Sequence, residues 1–191
     1  NLRRAGWLVA GVLAFVLIHK VGDTLANLSA ADILAVGGGE NLTAARAPVI
    51  LEREGVRFAF LGVTAIGPET WASDTVAGTA PLSDETLAGV LADITAARAL
   101  ADVVIVLPQW GVEYADTPTA DQQRWATAML AAGATLIIGN HPHTVQPVVE
   151  SENESGVRAV VAYALGNFVF DQGPWRNRQG LLFRATFHGA A

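Results

Sequence analysis

A chain of 191 residues is long enough for one sizeable α/β domain and too short for two comfortable ones. Hydrophobic residues make up 51% and charged residues 16%, with a mean hydropathy of +0.35; much of the apolar content is alanine and the rest falls in short strand-like runs, which fits a buried sheet better than a membrane bundle. A net charge of −6, a pI near 5.1 and scattered Lys and Arg exclude a basic stripe able to displace counterions, so nucleic acid is not an expected partner, while the absence of cysteine rules out disulfides and thiolate metal sites.

In chain order, Arg3 and Arg4 precede an apolar run over 5–18 that resembles the start of a signal peptide or the end of a membrane anchor. Its length falls short of the roughly 20 residues a spanning helix needs, and no small-x-small cleavage site follows at once. The expected role is a core element ordered against the sheet. Residues 23–28 read as a short helix and 33–36 as a strand ending in Gly37-Gly38-Gly39, a loop where backbone passes close to something. The spacing of a dinucleotide fingerprint is missing there. Runs 49–53 and 56–64 flank Glu54-Gly55 as a hairpin, and 65–81 is a long irregular loop of the kind that often carries function. Ser83 is expected to cap a helix, with Asp84 and Glu85 in its first turn, running to about Leu100.

The core unit comes next. A strand over 103–107 opens into Pro108-Gln109-Trp110-Gly111-Val112-Glu113-Tyr114. A helix then starts near Thr117-Pro118, with proline in its first turn, and stops at Gly133; a strand follows over 136–139. This β-loop-α-β order makes the two strands parallel neighbours and delivers both polar loops to their carboxyl ends, the edge where α/β sheets bind ligands. Segments 145–150 and 157–164 form a second hairpin, and 181–187 reads as a last strand.

The most informative stretch is Leu136-Ile137-Ile138-Gly139-Asn140-His141-Pro142-His143, an apolar run ending in two histidines separated by a proline. Proline fixes its own φ and biases the residue before it toward extended backbone, so both imidazoles leave the strand on a stiff loop. Imidazole is the commonest neutral metal ligand and titrates near neutral pH, so the pair is a candidate metal or anion site. The plainer alternative is two ordinary loop histidines. Asn140 is placed to donate to an anion from the strand end. Trp110 either stacks on a ligand or, beside a glycine, wedges the loop from below, and Glu113 is either an orienting carboxylate or base, or a solvated loop acid. Asn167 and Asp171 lie in an apolar segment and are expected to satisfy the backbone of a buried turn.

Three ordered motifs carry a family resemblance: Gln109 to Tyr114, Gly139 to Pro147, and Tyr163-Ala164-Leu165-Gly166-Asn167-Phe168-Val169-Phe170-Asp171-Gln172. Together they resemble the bacterial capsule-synthesis CapA family, whose domain is similar to the calcineurin-like metallophosphoesterases. The resemblance implies a layered α/β sandwich over 23–191, after a divergent apolar segment 1–22. It implies that His141 and His143 bind a divalent metal ion and contact substrate. With Glu113 they are the candidates for chemistry, and Gln109, Trp110, Asn140 and Tyr114 are the candidate substrate contacts.

The departures from the family pattern are specific. No strand ending in Gly-Asp precedes the match, His19 stands out of register with the family's early histidine, and Gln109 occupies the position before Trp-Gly where the family commonly has histidine. Glutamine is a poor ligand for a catalytic transition metal. The chain therefore reads as the C-terminal two-thirds of such a domain, without its first strand and with at most one weakly held metal. Three functions follow from the resemblance: an envelope protein of poly-γ-glutamate assembly or release, extracytoplasmic and membrane-associated, working with membrane-bound capsule synthesis proteins on an anionic polymer; a metal-dependent phosphoesterase; or a truncated, inactive or binding-only domain.

Overall fold

The computed structural model describes residues 29, 31–152, 157–168, 170 and 173–187. The expected core element over 5–18 and the helix over 23–28 lie outside them. The chain forms β1 (Gly38–Gly39), α1 (Leu42–Arg46), β2 (Val49–Arg53), β3 (Val56–Thr64), β4 (Gly78–Thr79), α2 (Leu87–Leu100), β5 (Val103–Gln109), α3 (Ala120–Ala131), β6 (Leu136–Ile138), β7 (Val148–Glu152) and β8 (Arg158–Ala162). Two short 3-10 turns, Pro68–Thr70 and Trp175–Arg178, are also present among the described residues.

Six strands form one sheet in the order β2-β3-β5-β6-β8-β7. The four central strands are mutually parallel, and each edge is an antiparallel hairpin, β2 with β3 and β7 with β8. Parallel neighbours need crossovers, and α2 and α3 supply them between β3, β5 and β6. Both helices pack on one face: Val90, Ile94 and Ala97 of α2 and Trp125, Ala126 and Met129 of α3 share a core with Ala59, Leu61, Val104, Val106, Ile137 and Val161. The other face, built on Phe58, Phe60, Val103, Ile105 and Leu136, is covered by Val36, Phe183, Ala185 and Phe187, with Phe187 edge-on to Phe58 at 5.5 Å. Each such Val, Ile or Phe contributes about 1.5–3 kcal/mol by leaving water.

The layered α/β fold and the parallel β5-α3-β6 unit stand as the sequence implies, as do both hairpins, within a few residues. Four local expectations do not hold. Residues 33–36 make no ladder; the chain pairs only at Gly38 and Gly39, with Thr79 and Gly78. Residues 181–187 also make no ladder, yet Phe183, Ala185 and Phe187 are turned into the core while Leu182 is 91% exposed, so the alternation reports burial without pairing. The second helix begins at Leu87, because Ser83 heads a turn whose carbonyl accepts from Thr86 and Leu87. Pro118 precedes the third helix rather than entering it, since Thr119 is the N-cap of a capping box closed by Gln122.

Two glycine expectations do hold. Gly37 packs its Cα against Gly62 of β3 so closely that a Cβ would sit 2.8 Å from that backbone. Gly133 ends α3 in a Schellman motif with φ +110°, its N–H donating to Leu130 and that of Ala134 to Met129.

Candidate functional site

The carboxyl ends of β5, β6 and β8 open into three loops, 110–119, 139–147 and 163–167, at one edge of the sheet. The first two are extensions of the ladder: Gln109 bridges Asn140, Trp110 N–H donates to the Asn140 carbonyl and Asn140 N–H to the Pro108 carbonyl. Farther out, Tyr114 N–H donates to the Pro142 carbonyl at 2.7 Å, and the Thr144 hydroxyl and Gln146 amide both donate to the Ala115 carbonyl. Gln146 also donates to the Thr117 carbonyl and accepts from Gln122, whose own Oε1 takes the Thr119 N–H. Gln122 and Gln146 are almost fully buried, so this network satisfies polar groups that would otherwise cost about 1–3 kcal/mol each.

Trp110 lies under this framework. Its ring is fully buried, stacked on Tyr163 with centroids 6.0 Å apart, and its Nε1–H donates to the Tyr163 carbonyl at 2.9 Å. The expected substrate contact is therefore corrected: no face of this indole is left for a ligand, and it joins the β5 loop to the strand-end loop of β8. Gly111 follows with φ +87°, and a Cβ there would lie 2.6 Å from Gln122 Oε1, so the Trp-Gly pair is required by packing and backbone together.

The two histidines take a different backbone from the one expected. His141 has φ +99° and His143 φ +59°, so His141 is left-handed rather than extended, and Tyr114 across the loop contact has φ +64°. Three of the five non-glycine residues with positive φ among the described residues thus stand side by side. Such conformations cost of order 1 kcal/mol each and persist where surrounding structure overdetermines them, here through the buried Pro142 and Thr144 and the loop-to-loop hydrogen bonds. The left-handed turns hold the two imidazole centroids 6.3 Å apart, planes inclined by 51°. Tyr114 and Phe170 flank His143 at 6.1 and 5.2 Å.

Partial burial holds the His141 imidazole below its usual pKa; the Glu113 carboxylate pulls it back up, and His143 adds to the depression. Glu113 is thus electrostatically coupled to His141 while itself exposed. Gln109, half-buried, spends its Oε1 on the Thr64 hydroxyl at 3.1 Å, and the Asn140 amide donates to the Pro108 carbonyl at 3.3 Å. Both side chains therefore hold the strand ends as well as bordering the crevice. Two residues read only as turn formers or not at all belong to the site: Asn167, whose Oδ1 lies 2.8 Å from His143 Nδ1, and the buried Asn177, which donates to the His143 carbonyl. Asparagine in an apolar run was the only signal for Asn167. A cleft lined by Leu42, Arg46, Glu85 and Gly89 lies elsewhere, and Arg46 there is committed to Asp93 and the Gly89 carbonyl.

The distances discriminate between ligands. Two imidazoles on one ion, with nitrogens at about 2.1 Å, bring their centroids to at most roughly 6.5 Å, and only if the nitrogens are opposed. Two imidazoles hydrogen-bonded to one oxygen at about 2.8 Å and a tetrahedral angle stand roughly 6.4 Å apart. The observed 6.3 Å fits the shared oxygen. Among the described residues no group of three or more His, Cys, Asp or Glu is placed to hold a metal ion.

Fold and site together define a mixed α/β domain with a paired-histidine loop at the carboxyl edge of a parallel sheet. The family model for the bacterial capsule synthesis protein PGA_cap matches residues 19–172, and the chain belongs to that family. It is 35% identical over 167 residues to the PGA biosynthesis protein CapA of Bacillus subtilis (strain 168), covering 86% of this chain and 42% of that protein. It is 35% identical over 165 residues to the capsule biosynthesis protein CapA of Bacillus anthracis, covering 84% and 38%. The chain thus spans about two fifths of the length of the curated relatives it matches. Among solved structures, it resembles a 5′-nucleotidase precursor from Thermus thermophilus at a TM-score of 0.47 and 15% identity, covering 87% of this chain and 35% of that one. It resembles Haemophilus influenzae NAD nucleotidase (NadN) at 0.42 and 13%, covering 69% and 26%. Likeness at these scores carries no functional argument.

Proposed function

We propose that this chain is part of a cell-envelope protein acting in the assembly or release of poly-γ-glutamate or a related anionic polymer, and that the crevice at the ends of β5, β6 and β8 binds it. The observation that carries this reading is the pair of imidazoles held 6.3 Å apart by left-handed backbone, a spacing suited to one oxygen of a carboxylate or phosphate. Family membership supplies the polymer context, and the capsule or PGA biosynthesis for which the Bacillus relatives are named supports an extracytoplasmic setting beside membrane-bound capsule synthesis proteins. Among the described residues no helix is long and apolar enough to cross a membrane, and residues 5–18 lie outside that statement.

In this reading His141 and His143 hold the ligand oxygen, Glu113 tunes His141, Tyr114 borders the crevice, and Gln109 and Asn140 fix the strand ends. The reading favours binding over hydrolysis, because binuclear hydrolysis needs two metals about 4 Å apart with several carboxylate and imidazole ligands. Glu113, His141 and His143 do not amount to that. Calorimetric titration of a γ-glutamyl oligomer into the protein tests it. The double variant His141→Ala/His143→Ala is expected to lose at least tenfold in affinity while its melting temperature moves by no more than about 2 °C. Unchanged affinity per folded molecule would overturn the site, and uptake of two metal ions per chain, read by mass spectrometry, would restore the phosphoesterase alternative.

A further inference from the structure

We infer that Asn167 is a positioning residue that fixes the tautomer and ring orientation of His143, so that Nε2 is the nitrogen His143 presents to a ligand. This rests on the reading of His143 as a ligand-facing residue. The geometry is a closed clamp of two asparagines. Asn167 Oδ1 lies 2.8 Å from His143 Nδ1, Asn167 Nδ2 donates to the Asn177 carbonyl at 2.7 Å, and Asn177 Nδ2 donates to the His143 carbonyl at 3.3 Å. Asn177 is 1% exposed, and its N–H donates to the Pro174 carbonyl, so the far end of the clamp is fixed in the fold.

An amide can face a histidine with either its oxygen or its nitrogen, and the choice decides which ring nitrogen carries the proton. Here the Asn177 carbonyl settles it. Only Nδ2 can donate to that carbonyl, so Oδ1 must face the ring, and an amide oxygen can only accept. His143 Nδ1 therefore keeps its hydrogen in every protonation state. Among the described residues Nε2 has no hydrogen-bond partner. It offers a lone pair to a cation or to the O–H of a ligand when the ring is neutral, and an N–H to a carboxylate or phosphate oxygen when the ring is charged. Carboxylates and carbonyls orient ligand histidines by the same logic.

Long-range nitrogen–proton NMR of the imidazole rings, recorded on the whole chain in alkaline buffer, reads the tautomer directly. The wild-type protein is expected to show His143 as the Nδ1–H form, Asn167→Ala to shift it toward Nε2–H, and Asn167→Asp, which keeps an acceptor, to restore Nδ1–H. A merely structural Asn167 would leave the tautomer unchanged in the alanine variant, and that result overturns the inference. An Nε2–H ring in the wild type overturns it even if the alanine variant fails to fold. Titrating a γ-glutamyl oligomer into the same proteins in mildly acidic buffer, where a charged imidazole presents Nε2–H to a carboxylate, separates the two readings. Asn167→Ala is expected to weaken binding by about tenfold or more. A wild-type chain whose His141 and His143 signals ignore the oligomer counts against the polymer reading and leaves the tautomer result standing.

Discussion

Replacing Trp110 by phenylalanine separates the two roles this indole could have. The ring is fully buried and its Nε1–H is the donor to the Tyr163 carbonyl. Phenylalanine removes that donor and leaves a buried carbonyl unpaired, at about 1–3 kcal/mol. The smaller ring also leaves a void of about 40 Å³, which at about 24 cal/mol per Å³ adds roughly 1 kcal/mol. The expected loss is therefore about 2–4 kcal/mol, or some 4–16 °C in melting temperature for a domain of this size. Urea titration followed by far-ultraviolet circular dichroism, with the slope checked for constancy, measures it. Affinity for the γ-glutamyl oligomer per folded molecule is expected to hold within about threefold, a shift below about 1 kcal/mol. A stability change under about 0.5 kcal/mol combined with lost binding would refute the argument and return Trp110 to the role of a ligand contact.

Gly139→Ala is expected to prevent soluble expression or to cost more than about 3 kcal/mol, since the new methyl would run into the Tyr163 carbonyl and the Trp110 indole, neither of which can yield; a protein that melts like wild type contradicts the packing described. Glu113→Gln should lower the His141 pKa further, because the carboxylate is what opposes the depression by burial; a nuclear magnetic resonance titration that moves it upward, or not at all, would show the two groups uncoupled. The sign of the pH effect follows from the same group. Folding lowers the His141 pKa, so the unfolded chain takes up its proton first; the stability tied to a neutral His141 is complete above about pH 6.5 and is lost as pH falls through and below that value. Melting curves at pH 8 and pH 5.5 should therefore differ more in the wild type than in His141→Asn, and an equal difference in both would sink the assignment.

How much of this was legible in the sequence depends on how local each signal is. The β5-α3-β6 unit was readable because its information lies within some forty consecutive residues: an apolar strand, a helix closed by Gly133, and a second apolar strand. Alternation misled at 181–187, where it marks burial of Phe183, Ala185 and Phe187 without a ladder partner. A proline rule misled at His141, because the loop contact from Tyr114 to Pro142 imposes left-handed backbone that a dipeptide preference does not foresee. Gln109 and Trp110 were placed at the right edge of the sheet, but burial, which decides what they touch, is a tertiary property. The contact between Asn167 and His143 spans 24 residues and joins loops from different strands, so no spacing in the sequence marks it.

The stitching of the β5 and β6 loops through Gln122, Gln146 and Thr144 divides the edge of the sheet into a frame and a rim. The frame side chains are at most 2% exposed and answer to each other, so a combinatorial library that varies them should yield mostly unfolded protein. Val112, Phe168 and Trp175 are 56%, 95% and 75% exposed, and a library confined to them should keep the fold in nearly every member. Selection for a new polymer can therefore proceed at the rim while the spacing of the two imidazoles stays fixed, which makes this edge a graftable recognition surface with a built-in register.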